Sequence, residues 1–503
     1  MHKNKYKMAT RLLTLRILVL ALVLASAPAC EDSGFLDVKP QGVINAGNYF
    51  QTSDHAVWAT NAVYNQLRTW SLTAFPWLAM TDIVSDDATK GSFPADAQRL
   101  TTFDEFTYDA RFPEDVRATW QGHYQGIFRA NIAIEGIPKV PSMNEALRQR
   151  LLGEAKFLRA HFYFNLVRWF GDVPLVLTPL RQDEFYTQKR IPVKEVYAQI
   201  IKDLSEALPA VPEKSAYDPS DMGRITKGAV RGILAKVYLT LKDYPNAEKY
   251  ALEVVNSKEY TLLPDFSKIF LPEGENSSES VWEVQATALE DTYAGSTPWN
   301  MVQGVRGDPN LGWGFNLPSD DLVRSFERGD PRRDATVLEV GEALPDGSYT
   351  VQDNKEMEGE RYNQKAWTPD HALLQDNGPS NLRMLRYADV LLIAAEALNE
   401  NGKAQEALVH LNAVRKRARG TRNVLPDITL TNKDQLRDAI WRERRSELAM
   451  EQQRWFDLVR TGRAAPVMKA HGKNFVAGKH ELFPIPQTEI ALSAGNIAQN
   501  PGY

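Results

Sequence analysis

The 503-residue chain has a single cysteine, Cys30, so no internal disulfide can staple it and no cysteine cluster can hold a metal. Long apolar runs are missing as well. The best candidate, Ile17 to Ala25, is interrupted by Arg16 on one side and by Ser26 and Pro28 on the other, well short of the roughly 20 consecutive apolar residues a spanning helix needs. There is no excess of positive charge: 59 Lys and Arg stand against 64 Asp and Glu, a net charge of -5. That balance argues against nucleic acid, whose binding needs clustered basic side chains. No GxSxG, HExxH or phosphate-binding loop occurs, and no spaced Asp/Asn run ends in the Gly and Glu of an EF-hand. These gaps predict no catalytic residue, no bound metal and no cofactor, and leave a structural calcium without a motif behind it.

What is present starts at the N-terminus. Lys3, Lys5, Lys7, Arg11 and Arg16 precede the short apolar run and small residues close it, which is the layout of a removable targeting segment over residues 1–29. Cys30 follows directly. A free lone thiol in an oxidising compartment invites stray pairing, whereas a cysteine at the cleavage point that carries a diacylglycerol does not. The position predicts lipidation of Cys30. Each buried methylene adds about 0.8 kcal/mol, so several acyl chains tether a protein durably to a bilayer. Losing the leader removes five positive charges and no negative one, which makes the remaining body more acidic.

Helical periodicity dominates the body. In "EALRQRLLGEAKFLRAHFYFNLVRWFGDVPLVL", Leu151, Ala155, Leu158, Phe162, Leu166 and Phe170 recur at spacings of three and four until Gly171 and Pro174, one apolar face of a long helix. A second stripe, Val196, Ile200, Leu204 and Leu208, ends at Pro209. Two later segments resemble each other. "ITKGAVRGILAKVYLTLKDYPNAEKYALEVV" and "LRYADVLLIAAEALNENGKAQEALVHLNAVRKRA" each give a helix rich in small residues, a break, and a second helix. That is the layout of tetratricopeptide units, in which small residues let two helix axes approach. The predicted fold is therefore mostly α, with tetratricopeptide-like helical pairs forming a core. Residues 258–382 read differently: Gly, Pro, Asn, Asp and Ser abound, with short strand-like pieces such as "SVWEVQ" and "SYTVQ", a loop-rich insertion.

The stretch "AIWRERRSELAMEQQRWFDLVRTGRA", with "GEAKFLRAHFYFNLVRWFGDVPL", "LRYADVLLIAAEALNENG" and "LFPIPQTEIALSAGNIAQNPGY", closely resembles the SusD/RagB family of nutrient-binding outer-membrane lipoproteins. The resemblance implies an N-terminal SusD-like helical region over 30–270 and a C-terminal RagB/SusD region over 271–503 that includes the insertion. It implies a lipid anchor at Cys30, a SusC-like TonB-dependent transporter as partner, and capture of an oligosaccharide or other nutrient at the outer face of the outer membrane. Glu31 and Asp32 resemble the acidic signal that sends such lipoproteins there. Within the C-terminal motif, Trp441, Leu448 and Trp455 recur every seven residues, predicting one helix face, with the interleaved Arg and Glu free to form ion pairs.

Sugar rings present apolar faces to aromatic side chains and hydroxyls to amides and carboxylates. Both loop-rich regions supply these groups. Trp70, Phe75, Trp77 and Phe93 stand in one, and Tyr293, Trp299, Asn300, Trp313, Phe315 and Trp367 in the other. Trp299 and Trp313, held among Gly, Pro and Asn, are the leading candidates. Two other readings compete: a non-catalytic helical-repeat scaffold that binds a protein or peptide, and a glycoside hydrolase using carboxylate pairs such as Asp86 with Asp87 or Asp320 with Asp321, for which two carboxyl groups about 5 to 9.5 Å apart would be required. Adjacent aspartates in loops are expected to be solvated or to cap helices, and "SDDLVRSF" reads as a helix start capped by Ser319.

Overall fold

The helix Glu145–Phe170 (α3) shows how the body is built. Asn144 caps it, its Oδ1 accepting from the Leu147 N–H at 3.1 Å, and Gly171 ends it at φ 69°, a conformation that glycine adopts without strain. The expected stripe is buried, and so are Phe157, Tyr163, Phe164 and Trp169 on other faces. A helix buried all round belongs at the centre of a bundle. Its neighbours are Glu114–Gly136 (α2) and Val193–Ala207 (α4), with Ser53–Gln66 (α1) alongside. One buried charge on it is paired across to a neighbour: Arg159 donates to both oxygens of Asp203 on α4, at 2.8 and 2.7 Å.

The computed structural model describes residues 49–109, 114–287, 295–357, 359, 361–369 and 378–503. Cys30 and the targeting segment lie outside the described residues, as does Tyr293. Residues Phe50–Tyr503 form one compact unit.

Both tetratricopeptide-like pairs are present. Lys227–Thr240 (α5) packs on Tyr244–Ser257 (α6), and Tyr387–Glu400 (α7) on Ala404–Arg419 (α8). α6 also packs on α7, so the two pairs stack although more than a hundred residues separate them. Gly232 makes room for a strand and not for a crossing helix: a Cβ there would lie 2.4 Å from Cδ2 of Leu385 in the strand Leu382–Arg386, a contact that would force its neighbour to move.

The insertion has a core of its own, built from Val305, Leu317, Leu338, Leu344, Val351, Tyr362 and Trp367. "SVWEVQ" forms the strand Ser280–Val284, antiparallel to Leu382–Arg386. "SYTVQ" does not form a strand; its only ladder contact is one bridge between Ala343 and Thr350. A second ribbon joins distant parts of the sequence, pairing Ala88–Gly91 with Phe315–Pro318 so that Gly91 faces Phe315.

The C-terminal motif departs from the single helix expected of it. Lys433–Glu447 (α9) stops, and Arg454–Arg460 (α10) begins after a turn in which Met450 and Gln452 adopt φ 60° and 59°. Trp455 is buried, but Trp441 is only half-buried, with the Arg463 guanidinium 4.2 Å from its ring centre. The turn has an electrostatic reason. It swings Glu451 inward to accept from Lys365 at 2.6 Å and from Arg386 at 2.7 Å. Arg386 also binds Glu279 at 2.6 Å and Glu447 at 3.0 Å, while Arg332 ties Glu443 to Asp330. The ion pairs expected along one helix instead connect separate elements, deep inside. Burial alone would raise the Glu447 carboxyl, yet Arg417, Arg386, Arg332 and Lys365 outweigh it and hold the group at about 2.

Candidate functional site

Two short helical turns follow α1: Trp70–Thr73 and Phe75–Leu78. The first sits on α2 where Gly122 leaves room, since a Cβ there would lie 2.3 Å from Ser71 Oγ. This seating pushes Trp70 outward, leaving it 42% exposed. From the insertion comes "GWGF". Its backbone is pinned by Leu311 N–H to Val305 O at 2.8 Å, Trp313 N–H to Met301 O at 2.8 Å, and Gly314 N–H to Gly304 O at 3.0 Å. One of these bonds is on the preceding Leu311 and two are within the segment; they hold the Trp313 backbone in place, and its half-buried indole lies beside Trp70.

The two indoles lie 5.9 Å apart between ring centres at 48° to one another. Phe75 supports both, 5.4 Å from Trp70 and 5.9 Å from Trp313. Phe315 lies behind Phe75 at 4.7 Å, edge to face. The result is an angled aromatic shelf at the surface. Beside it, the Arg306 guanidinium stacks 4.1 Å over the half-buried Phe93 and is held by Asp96 at 2.8 Å and by Ser92 Oγ at 3.0 Å. Asp308 and Asn310, in the same loop, are exposed. The shelf thus offers aromatic faces flanked by a guanidinium, carboxylates and an amide.

Of the expected contact residues, the structure gathers Trp313, Phe315 and Phe93 here, with Phe315 in the supporting layer. Trp299 is corrected: at 4% exposure it opens the buried turn Trp299–Gln303. Its Gly, Pro and Asn neighbours fold the insertion onto its own core instead of displaying the indole. Trp367 belongs to that core. Trp77 is buried against Trp169, edge to face at 5.6 Å. Asn300 is buried too, its Nδ2 donating to Ala366 O at 2.7 Å. The partner Trp313 needs is Trp70. Arg306 carried no signal in the sequence, being one arginine between Gly304 and Gly307.

The acidic pairs are also corrected in part. Asp86 and Asp87 are buried, not solvated, and Asp86 takes both arms of Arg454, each at 2.7 Å. Asp87 accepts from Arg445 at 2.7 Å, and so does Asp321. Asp86 and Asp321 come close to His471 in a set that could hold an ion, but the two arginines already engage both carboxylates. Asp320 is exposed, and Ser319 caps the helix Asp320–Ser325 as expected.

A polar thread anchors the shelf from below. Asn316 donates to Asp82 at 3.1 Å and to Gln303 Oε1 at 2.8 Å, and the Gln452 side chain donates to Asp82 at 2.7 Å. Burial pushes the Asp82 carboxyl up to about 6. The folded state therefore holds this proton more tightly than the unfolded chain does. Its contribution to stability is complete below pH ~4 and is lost as pH rises through 6. Melting temperatures of the protein and of Asp82→Asn, measured from pH 4 to 7, should show the protein losing ground to the variant between pH 4 and 6 and running parallel above; parallel curves throughout would contradict the assignment.

Comparison with known proteins agrees with this architecture. Residues 278–503 match the model of the SusD family, and residues 54–239 match a family described as starch-binding and associating with the outer membrane. A SusD-like protein of Bacteroides ovatus is 30% identical, the alignment covering 90% of this chain and 83% of that one. SusD-like protein P2 of Formosa agariphila is 29% identical over 99% of this chain and all of its own. Among solved structures, a laminarin-binding SusD-like protein superimposes with a TM-score of 0.75 at 31% identity, covering 90% of this chain and 100% of that one. Surface glycan-binding protein A of Bacteroides thetaiotaomicron, in complex with laminarihexaose, gives 0.76 at 25% identity over the same shares. With both halves of the body matched and relatives at this identity spanning nearly its whole length, the chain belongs to the SusD family.

Proposed function

We propose that the protein is a surface-exposed outer-membrane lipoprotein that binds an oligosaccharide on the Trp70–Trp313 shelf and delivers it, unaltered, to a SusC-like TonB-dependent transporter. The observation that carries this reading is the angled pairing of exposed Trp70 with half-buried Trp313 over Phe75. Sugar rings stack on such faces, and Arg306, Asp96, Asp308 and Asn310 are placed to meet hydroxyls at the rim. The laminarin-binding and laminarihexaose-bound relatives support a glycan as the ligand class. Few stacking contacts and a solvent-open shelf give modest affinity, which suits cargo that must be released.

A glycan array probed with the body beginning after Cys30 tests the reading, with laminarin among the polysaccharides. Retention on one glycan class is expected. A blank array from a protein that captures a polypeptide partner would favour the helical scaffold instead, and release of shortened sugars would favour a hydrolase. Labelled palmitate should enter the full chain and not Cys30→Ser; equal labelling of the two would remove the proposed anchor.

A further inference from the structure

Two residues beyond Phe75, on the same short turn, Trp77 lines a small internal cavity of about 20 Å3. His161, Asn165 and Arg168 of α3, Lys236 of α5 and Trp282 of the Ser280–Val284 strand also line it, together with Arg383 and the Glu451–Gln453 turn. That volume admits one small species.

The polar atoms on this wall that lack a partner are donors, because Lys365 and Arg386 take up the Glu451 carboxylate and Lys236 takes up the Gln453 Oε1. Asn165 Nδ2 lies 3.2 Å from His123 Nε2 and 3.1 Å from His161 Nε2, while its Oδ1 accepts from Arg168, which fixes the orientation of the amide. Both amide protons are then donated, so both Nε2 atoms are acceptors and each ring carries its proton on Nδ1. His123 gives that proton to Thr119 O at 2.7 Å. The Nδ1–H of His161 is buried and has no acceptor among the described residues. The indole N–H groups of Trp77 and Trp282 are in the same position, and an indole can only donate. His161 and Trp282 stand edge to face, 4.7 Å between ring centres.

Charge points the same way. The Arg168 guanidinium lies 4.1 Å from the Phe164 ring centre and 3.5 Å from that of Phe456, and no carboxylate reaches ion-pair distance of it among the described residues. Burial lowers its pKa to about 9. A neutral water would bring two protons of its own to a cavity whose free groups are donors. A monatomic anion accepts from all of them and offsets the arginine.

We propose that this cavity binds a single halide-sized anion, held by the N–H groups of Trp77, His161 and Trp282 with Arg168 as the counter-charge. Crystals of the protein soaked in sodium bromide should show an anomalous peak between these three side chains. Thermal melts at equal ionic strength should give a midpoint about 2 °C higher in sodium bromide than in sodium gluconate, growing with the logarithm of bromide concentration. This shift should shrink in Trp282→Phe and Arg168→Met. A cavity peak without anomalous signal, or midpoints no higher in bromide, would mean that a water satisfies these donors and would overturn the proposal. The anomalous measurement uses the unmodified protein and stands even if a variant fails to fold.

Discussion

Alanine at Trp313 is expected to weaken glycan retention in affinity gels by at least thirtyfold, and alanine at both Trp313 and Trp70 to remove it. Truncating a central aromatic contact typically costs about 2 kcal/mol or more, and each 1.4 kcal/mol is tenfold in dissociation constant. The shelf concentrates its stacking surface in two rings 5.9 Å apart, so few other groups can compensate. Because Trp70 is 42% exposed and Trp313 is pinned through its backbone, neither substitution should lower the melting temperature by much. Trp299→Ala supplies the contrast. Its indole is buried, so its loss should destabilise by about 3–5 kcal/mol while sparing affinity in whatever fraction stays folded. If the Trp299 variant lost binding at unchanged stability and the Trp313 variant kept it, the shelf would be in the wrong place.

The second large effect concerns Arg386. Its replacement by methionine, similar in volume, should destabilise the protein by about 3–5 kcal/mol at pH 7, because Glu279, Glu447 and Glu451 would lose the one cation that binds all three, with Arg417 left on the first two and Lys365 on the third. These carboxylates accept from Arg386 at 2.6, 3.0 and 2.7 Å. The pH dependence follows from the direction of the shift. In the protein, Glu447 is held down at about 2, so its stabilising contribution is present above pH ~4.5 and is lost as pH falls through 2. In the variant the carboxyls are less depressed and can protonate under milder acid. The gap between the two proteins should therefore narrow from pH 7 to pH 4 in urea titrations, and a gap that widens toward acid would contradict this account.

How much of this was legible depends on what each residue responds to. The stripes of α3 and α4 and the paired helices α5 to α8 were readable because burial repeats at the helical period, whereas Gly232, read as part of a helix crossing, makes room for Leu385 of a strand. The break after α9 was not readable. It exists because Glu451 must reach Lys365 and Arg386, and those residues belong to other elements. Asp86 and Asp87 looked like solvated loop residues because Arg445 and Arg454, their partners, lie hundreds of positions away. Composition did flag the aromatic-rich loops, and Trp313, one of the two leading candidates, lies beside Trp70. Composition could not separate Trp313 from Trp299, since both have Gly, Pro or Asn neighbours and only the fold of the insertion decides which indole turns inward. Trp70 was visible as one aromatic among several, but its pairing with Trp313 is a tertiary fact.

The ribbon that sets Gly91 opposite Phe315 has a consequence for how the protein matures. Each half of the shelf is synthesised at a different time, and on the proposed reading neither half would hold a sugar alone. On that reading, ligand retention reports that the late-made loop has docked onto the early-made scaffold.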